Sequence, residues 1–185
     1  DYAFADKHLL SLVYTTAFTD VKPYATVTGA QNSVTDSRSE GQLHNAKLDY
    51  QTPFGLKAGA EFAYYHSPGS QLLHSTLGEE TLNFLSRDNQ RINQWRFYAG
   101  QEHTLGKDWG LNYGVAYTTA LDNSYQMYYD PETEAPLPDN NMKSRRREQT
   151  VNFYAGLSKS FGEKLSADVS LAAEQYHTDM WNEWS

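Results

Sequence analysis

Residues 149–178 read QTVNFYAGLSKSFGEKLSADVSLAAEQYHT, two alternating segments separated by a short polar turn. In both segments apolar residues recur at alternate positions, with Lys159 as the one exception: Val151, Phe153, Ala155, Leu157 and Phe161, then Leu165, Ala167, Val169, Leu171 and Ala173. The positions between them are small or polar, and include Asn152, Ser158, Ser166, Asp168 and Glu174. A period of two residues indicates a β-strand with one apolar and one polar face. The turn Phe161-Gly162-Glu163-Lys164 therefore predicts an antiparallel hairpin.

The same alternation recurs along the chain in segments that are long for β-strands. The predicted strands are residues 8–18, 42–52, 56–66, 92–104, 109–120, 149–161 and 164–178. A strand in a globular protein averages about five or six residues. A tilted strand that crosses a membrane needs about nine to eleven. The lengths therefore favour strands that span a membrane.

The connections between these strands alternate between short and long. The short links are Pro53-Phe54-Gly55, Leu105-Gly106-Lys107-Asp108 and Phe161-Gly162-Glu163-Lys164. The long, polar ones are residues 19–37, 67–90 and 121–147. Short turns on one rim and long loops on the other are typical of an outer-membrane β-barrel. We therefore predict an all-β fold, an antiparallel up-and-down meander of about seven long strands, with residues 1–185 forming one segment of a transmembrane β-barrel.

An odd number of strands leaves two unpaired edges, whereas bacterial single-chain barrels close with an even number. We therefore expect the native polypeptide to continue past Ser185 and to begin before Asp1. A free-standing small barrel with a structural or adhesive role remains the alternative within the membrane class.

The composition agrees with a sheet that has little apolar core. Hydrophobic residues make up 39% of the chain, the mean hydropathy is −0.72, and aromatic residues reach 14%. The net charge of −8 argues against nucleic acid as a partner, because nucleic-acid binders carry a basic face. A soluble antiparallel β-domain that binds a ligand would show the same alternation, with one face on a core and one in water. This is the alternative outside the membrane class.

Aromatic residues cluster near the ends of the predicted strands, as expected of the two girdles of a membrane barrel. Those beside the short turns are Tyr50, Phe54, Trp109 and Phe161, and those toward the long loops are Tyr64, Trp95, Tyr117 and Trp181. We predict that these side chains lie at the two membrane interfaces and contact outer-membrane lipid.

The segment 121–147 is the best candidate for contact with an external ligand. The candidate contacts are Tyr128, Tyr129, Asp130, Glu132, Arg145 and Arg146. Tyrosines and carboxylates can hold a sugar, a peptide or another small molecule, and the basic run can face the phosphates of lipopolysaccharide. A solvated surface loop is the alternative interpretation. The other long segment, 67–90, is apolar enough to fold inward over the lumen, to dock on a partner or to form a short helix.

No sequence motif indicates an enzyme. The chain lacks the glycine-rich phosphate and dinucleotide motifs, the paired-histidine zinc motif and the serine nucleophile motif. It has no cysteine, and its six histidines show no metal-ligand spacing. We therefore expect no catalytic residues, no cofactor and no metal.

Residues 48–64, LDYQTPFGLKAGAEFAY, resemble a hairpin of the outer-membrane β-barrel family allied to TonB-dependent receptors. Residues 94–107 and 156–176 fit the same rhythm of strand and turn. The resemblance implies a bacterial outer-membrane location and, for the transporter class, an N-terminal plug and a barrel of about 22 strands. It also implies nutrient uptake energised by the TonB system. This sequence shows neither a plug nor a TonB box, so any contact with TonB would need other parts of a parent chain.

Overall fold

The structure is a computed structural model that describes residues 2–4, 8–137, 141–162 and 165–184. Its strands are β1 (Tyr2–Phe4), β2 (His8–Val21), β3 (Tyr24–Val27), β4 (Gln31–Gln51), β5 (Leu56–Leu77), β6 (Glu80–Leu105), β7 (Trp109–Tyr129), β8 (Met142–Phe161) and β9 (Leu165–Trp184). The described residues include no helix with the length and apolarity that a membrane span requires.

The described strands belong to one antiparallel sheet, in which, apart from the short β3, strands that follow each other in sequence pair with each other. The order is β1-β2-β4-β5-β6-β7-β8-β9, and the short β3 pairs with β4. The predicted fold class, an all-β antiparallel meander of about seven long strands, is confirmed. Among the described strands β9 pairs only with β8, so the sheet is open at that edge.

The short turns are where the sequence places them. The β4–β5 turn closes through a backbone hydrogen bond from Thr52 to Leu56, and the Thr52 hydroxyl accepts a second from the Leu56 N–H. Gly55 and Gly106 have φ values of 89° and 71°, a left-handed conformation that favours glycine. In the third turn, the predicted residues Glu163 and Lys164 lie outside the described residues.

The predicted long loops are mostly strand, which corrects that part of the sequence interpretation. Residues 67–90 form the end of a hairpin in which β5 and β6 are joined by Gly78 and Glu79 alone. They are neither a helix nor a loop folded inward, because their apolar side chains pair across the strands, as Leu73 does with Phe84. Residues 19–37 contain β3 and parts of β2 and β4, and in 121–147 only residues 130–141 separate β7 from β8.

The hairpin was missed because Pro68-Gly69 interrupts the alternation in sequence. In the structure the pairing of β4 with β5 has a gap between Ser39–Gly69 and Gln42–His66, and Pro68 lies in that gap. Proline has no N–H to donate, so it is tolerated where the ladder is already interrupted. The strand therefore continues through a residue that reads as a strand breaker.

The register divides the sheet into two faces of opposite chemistry. The apolar face is formed by the even-numbered residues of β2, β4 and β5 and the odd-numbered residues of β6 to β9; the polar face is formed by the alternate residues. One apolar-face row reads Leu12, Leu48, Ala60, Phe97, Tyr117 and Val151. The neighbouring polar-face row reads Val13, Lys47, Glu61, Arg96, Thr118 and Thr150.

No second layer covers the apolar face. Among the described residues, no hydrophobic side chain is buried. Leu171 is 75% exposed, Val169 69% and Leu12 68%. In a soluble domain such a face packs on a core, and the described residues supply no such core.

Candidate functional site

The most organised side chains of the sheet form a charged network at the centre of the polar face. Lys47 and Asp49 come from β4, Glu61 from β5, and Arg96 and Tyr98 from β6. The register places Lys47 beside Glu61 and Glu61 beside Arg96. It places Asp49 and Tyr98 on either side of Gly59. Three strands therefore contribute to one network.

The network alternates in charge. The Lys47 Nζ lies 3.4 Å from Asp49 Oδ2 and 3.4 Å from Glu61 Oε1. Arg96 Nη1 lies 3.2 Å from Glu61 Oε2, and the Tyr98 hydroxyl donates a hydrogen bond to the Asp49 carboxylate. The Arg96 guanidinium also lies over the Tyr98 ring, 5.2 Å from its centre. The four charged side chains are 31% to 46% exposed, so the network lies on an uncovered surface of the sheet.

Glycines make room for tyrosine rings that lie along this face. A Cβ at Gly59 would overlap the Tyr98 ring and lie 2.7 Å from the Leu48 carbonyl oxygen. On the next strands, Tyr154 extends across Gly114 and reaches Gly100, where side chains would overlap it. These glycines allow the two tyrosine rings to lie against the backbone.

A second polar cluster lies farther from the short turns on the same face. The Arg146 side chain is 3.7 Å from Asp122 Oδ2 and 3.4 Å from Glu148 Oε1. Gln90 donates to Asp122 at 3.3 Å, and the Tyr176 hydroxyl donates to Glu148 at 3.0 Å. The polar face thus carries paired charges at two heights.

The predicted interface aromatics lie, with one exception, on the apolar face. They are Tyr50, Tyr64, Trp95, Trp109, Tyr117, Phe161 and Trp181. Phe54 lies in the β4–β5 turn and is 60% exposed. Trp95 packs against Phe62, with ring centres 4.6 Å apart. Beside the short turns, the Lys159 Nζ lies over the Trp109 ring at 4.6 Å.

Trp181 lies farther from the short turns than the apolar residues of the same face of β9. Gln175, His177 and Asp179 separate it from the apolar residues of β9, which end at Ala173. Its neighbour across the strands is Arg145. Its surroundings are therefore polar, unlike those of Trp95.

The six candidate ligand contacts do not converge on one site. Tyr128 and Arg146 lie on the polar face, whereas Tyr129 and Arg145 lie on the apolar face. Asp130 Oδ1 accepts hydrogen bonds from the Glu132 N–H (2.9 Å), the Thr133 N–H (2.8 Å) and the Thr133 hydroxyl (2.9 Å).

These donors hold the pKa of Asp130 below its ordinary value, the largest contribution coming from the Thr133 N–H. Asp130 therefore orders its own turn. Arg87 joins this turn to β6: it pairs with Glu134 at 2.9 Å and lies over the Tyr129 ring at 5.0 Å.

The polar-face network was not predicted from the sequence, although part of it can be found by counting. Starting from the turn at residues 52–55, an antiparallel register pairs Lys47 with Glu61. Arg96 cannot be added in this way, because its register depends on the unrecognised turn at Gly78-Glu79. Among the described residues no group of acids and histidines could hold a metal ion.

No protein-family model matches the chain, and no curated protein matches it. Among solved structures, the beta domain of the Bordetella autotransporter Brka aligns over 97% of this chain and 91% of that chain, with 12% identity and a TM-score of 0.19. A TM-score this low carries no argument about fold or function. The class that the geometry defines is an antiparallel meander sheet with one apolar and one polar side. The resemblance to TonB-dependent receptors stays a proposal.

Proposed function

We propose that this chain forms part of the wall of a bacterial outer-membrane β-barrel, with the apolar face toward lipid and the polar face toward a water-filled lumen. The separation of charge between the two faces carries the proposal. Among the described residues of the predicted spanning segments, the apolar face carries one charged side chain, Lys159. The polar face carries Lys47, Asp49, Lys57, Glu61, Arg96, Glu102, Asp168 and Glu174.

The cost of placing a charged side chain in lipid decides which face of such a sheet can meet the membrane. A basic residue on the lipid face of a barrel costs about 2–4 kcal/mol at the membrane midplane, whereas a residue facing the lumen meets water. The polar-face charges are therefore compatible with a lumen and not with lipid. The apolar face is compatible with lipid, because exposing its uncovered side chains to water would be unfavourable in free energy.

The height of the apolar face fits a bilayer. On β8 its apolar residues run from Phe161 to Val151, and Lys159 is the only charged side chain between them. Ten steps at about 3.3 Å give about 33 Å along the strand, which a tilt of 45° reduces to about 23 Å. The apolar band of an outer-membrane barrel is about 25 Å tall. A soluble β-domain would need a covering layer instead, and no described apolar side chain is buried in one.

The finer proposal is a TonB-dependent receptor-like transporter for uptake of an external nutrient. It is supported by the resemblance of residues 48–64, which contribute Asp49 and Glu61 to the polar-face network. In this proposal the network lines the lumen, the protein performs no catalysis, and TonB acts through other parts of a parent chain. Outer-membrane lipid is the partner of the apolar face.

Fractionation of the source cells tests the proposal, using an antibody against residues 121–137. We expect the protein in the outer-membrane fraction, extracted by detergent and resistant to washing with high salt or carbonate. A protein recovered in the soluble fraction would contradict the membrane orientation of both faces. A band far larger than 21.0 kDa would support the transporter-sized parent.

A further inference from the structure

We propose that four basic side chains on the apolar face bind the phosphate groups of lipids in the outer leaflet. They are Arg91, Lys143, Arg145 and Arg147, called the basic strip below. The inference rests on the proposed membrane orientation and adds a specific lipid ligand to it.

The basic strip lies directly beyond the apolar band, at the end away from the short turns. On β8 the apolar-face residues above Val151 are Gln149, Arg147, Arg145 and Lys143 in succession. Arg91 joins them through the register, because Arg91 of β6, Asn123 of β7 and Arg145 of β8 form one row. Arg145 and Arg147 are about 6.6 Å apart along the strand, and Arg91 is about 9.6 Å away across two strands. In a barrel with short periplasmic turns, this height is that of the outer headgroups.

The charges of the basic strip are not neutralised by ion pairs within the described chain. All four side chains are exposed, and none has a carboxylate within ion-pair distance among the described residues. Asp179 lies opposite Arg147, with its Oδ2 3.2 Å from His177 Nε2, and Glu183 lies opposite Lys143. The four cations of the basic strip thus have two acidic residues, Asp179 and Glu183, opposite them on β9.

Other arginines of the same face behave differently. Arg38 lies 2.5 Å from Glu40 and 3.6 Å from Asp20, and Arg87 lies 2.9 Å from Glu134. The neighbouring Arg146 points to the polar face, where Asp122 and Glu148 hold it. Among the described residues, the basic strip therefore lacks the ion pairs that the other arginines of this face make.

Phosphate is the ligand that this arrangement suits. Guanidinium groups bind phosphate oxygens through two parallel hydrogen bonds, and Lys143 adds a point charge. The basic strip is on the opposite face from the lumen, so a solute in the lumen cannot reach it. At this position the anions that remain are the phosphates of outer-leaflet lipid, which sit where juxtamembrane basic residues meet headgroups.

Lipid binding by the detergent-purified protein tests the inference, with Arg145→Gln/Arg147→Gln as the test variant. Its matched control is Arg38→Gln/Arg87→Gln, which removes the same charge from the same face but at compensated positions. Each protein is titrated with diphosphorylated lipid A in neutral detergent, with dephosphorylated lipid A, and with inorganic phosphate. We expect the test variant to lose about tenfold or more in affinity for the phosphorylated lipid, and the control to keep the wild-type affinity.

Three outcomes would overturn the inference. The first is an equal loss of affinity in the two variants. The second is binding of the dephosphorylated lipid as tight as that of the phosphorylated lipid, and the third is binding of inorganic phosphate as tight as that of the lipid. Both variants are first shown to reach the outer membrane in wild-type amount. If they do so and the lipid titration fails, only the basic strip is refuted; a soluble wild-type protein would refute the proposed function itself.

Discussion

The two faces of β8 share one backbone but carry opposite surfaces. Val151, Phe153 and Leu157 project to one side, and Asn152, Ser158 and their neighbours to the other. The apolar side chains have no covering layer among the described residues, whereas the polar face of the sheet is organised by ion pairs and by tyrosines lying over glycines. We therefore expect the two faces to need different surroundings, lipid for the apolar face and water for the polar face.

Moving a charge from one face to the other should have the largest effect. Leu157 lies on the apolar face between Leu111 and Val169, and Ser158 lies on the polar face opposite Asp168. We expect Leu157→Arg to lower the free energy of unfolding from lipid vesicles by about 2–4 kcal/mol, because its guanidinium enters the hydrocarbon. Ser158→Arg should change it by about 0.5 kcal/mol or less, because it remains in water near a carboxylate. Denaturant titration in vesicles measures both; equal costs would contradict the assignment of the faces.

Filling the space under a polar-face tyrosine should have the next largest effect. Valine is favoured over glycine in strands, yet at Gly59 it would overlap the Tyr98 ring and crowd the Leu48 carbonyl. We expect Gly59→Val to lower the free energy of unfolding by about 1–3 kcal/mol through overpacking. The control is Ala63→Val, four residues farther along β5 on the same face, which should cost little. If Gly59→Val stabilises the protein instead, the tyrosine does not pack on the backbone.

Breaking the charged network should have a smaller effect. Glu61→Gln removes the carboxylate shared by Lys47 and Arg96. Because these side chains are partly exposed, we expect a loss of about 0.2–1 kcal/mol that shrinks at high salt. A double-mutant cycle that combines Glu61→Gln with Arg96→Met measures the interaction energy between Glu61 and Arg96. A loss of several kcal/mol that salt does not change would mean that the network is dehydrated, which is incompatible with a water-filled lumen.

The smallest effect should be confined to the connection between β7 and β8. The hydrogen bonds to Asp130 lower its pKa in the folded protein, so they stabilise the turn at pH values above the ordinary carboxyl pKa. That stabilisation should be lost as the pH falls below 3.8 and through the lowered pKa. Amide-exchange protection of Glu132 and Thr133 measures it. Asp130→Ala should abolish the protection at neutral pH and Glu132→Gln should not; protection that is independent of pH would contradict the role of Asp130.

The sequence was sufficient for the faces and the short turns, because both depend on local pattern. The alternation places Leu157 and Ser158 on opposite faces, as the register has them. The parts of the strands far from the short turns were expected to be loops, because polar residues weaken the alternation there and Pro68 interrupts it. Pairing with a neighbouring strand decides the structure there, and the identity of that neighbour is not a local property.

The candidate site shows the same limit. Tyr128 and Arg146 both occur in the segment 121–147, but their place in the sequence does not say which face each occupies once β7 and β8 are extended. The polar-face network needs the register of three strands, and a shift of one residue in any of them would move its side chains to the apolar face. Registers set by distant turns are therefore the main reason why the site was not predicted.

The central claim is that the apolar face meets lipid and the polar face meets water. The chain has no cysteine, so single cysteines at successive positions 151–158 of β8 can each carry a spin label in the lipid-reconstituted protein. Collision rates are measured with oxygen, which is soluble in lipid, and with a water-soluble nickel chelate. The account predicts oxygen access at odd-numbered positions and nickel access at even-numbered ones. Equal nickel access at odd and even positions would contradict it.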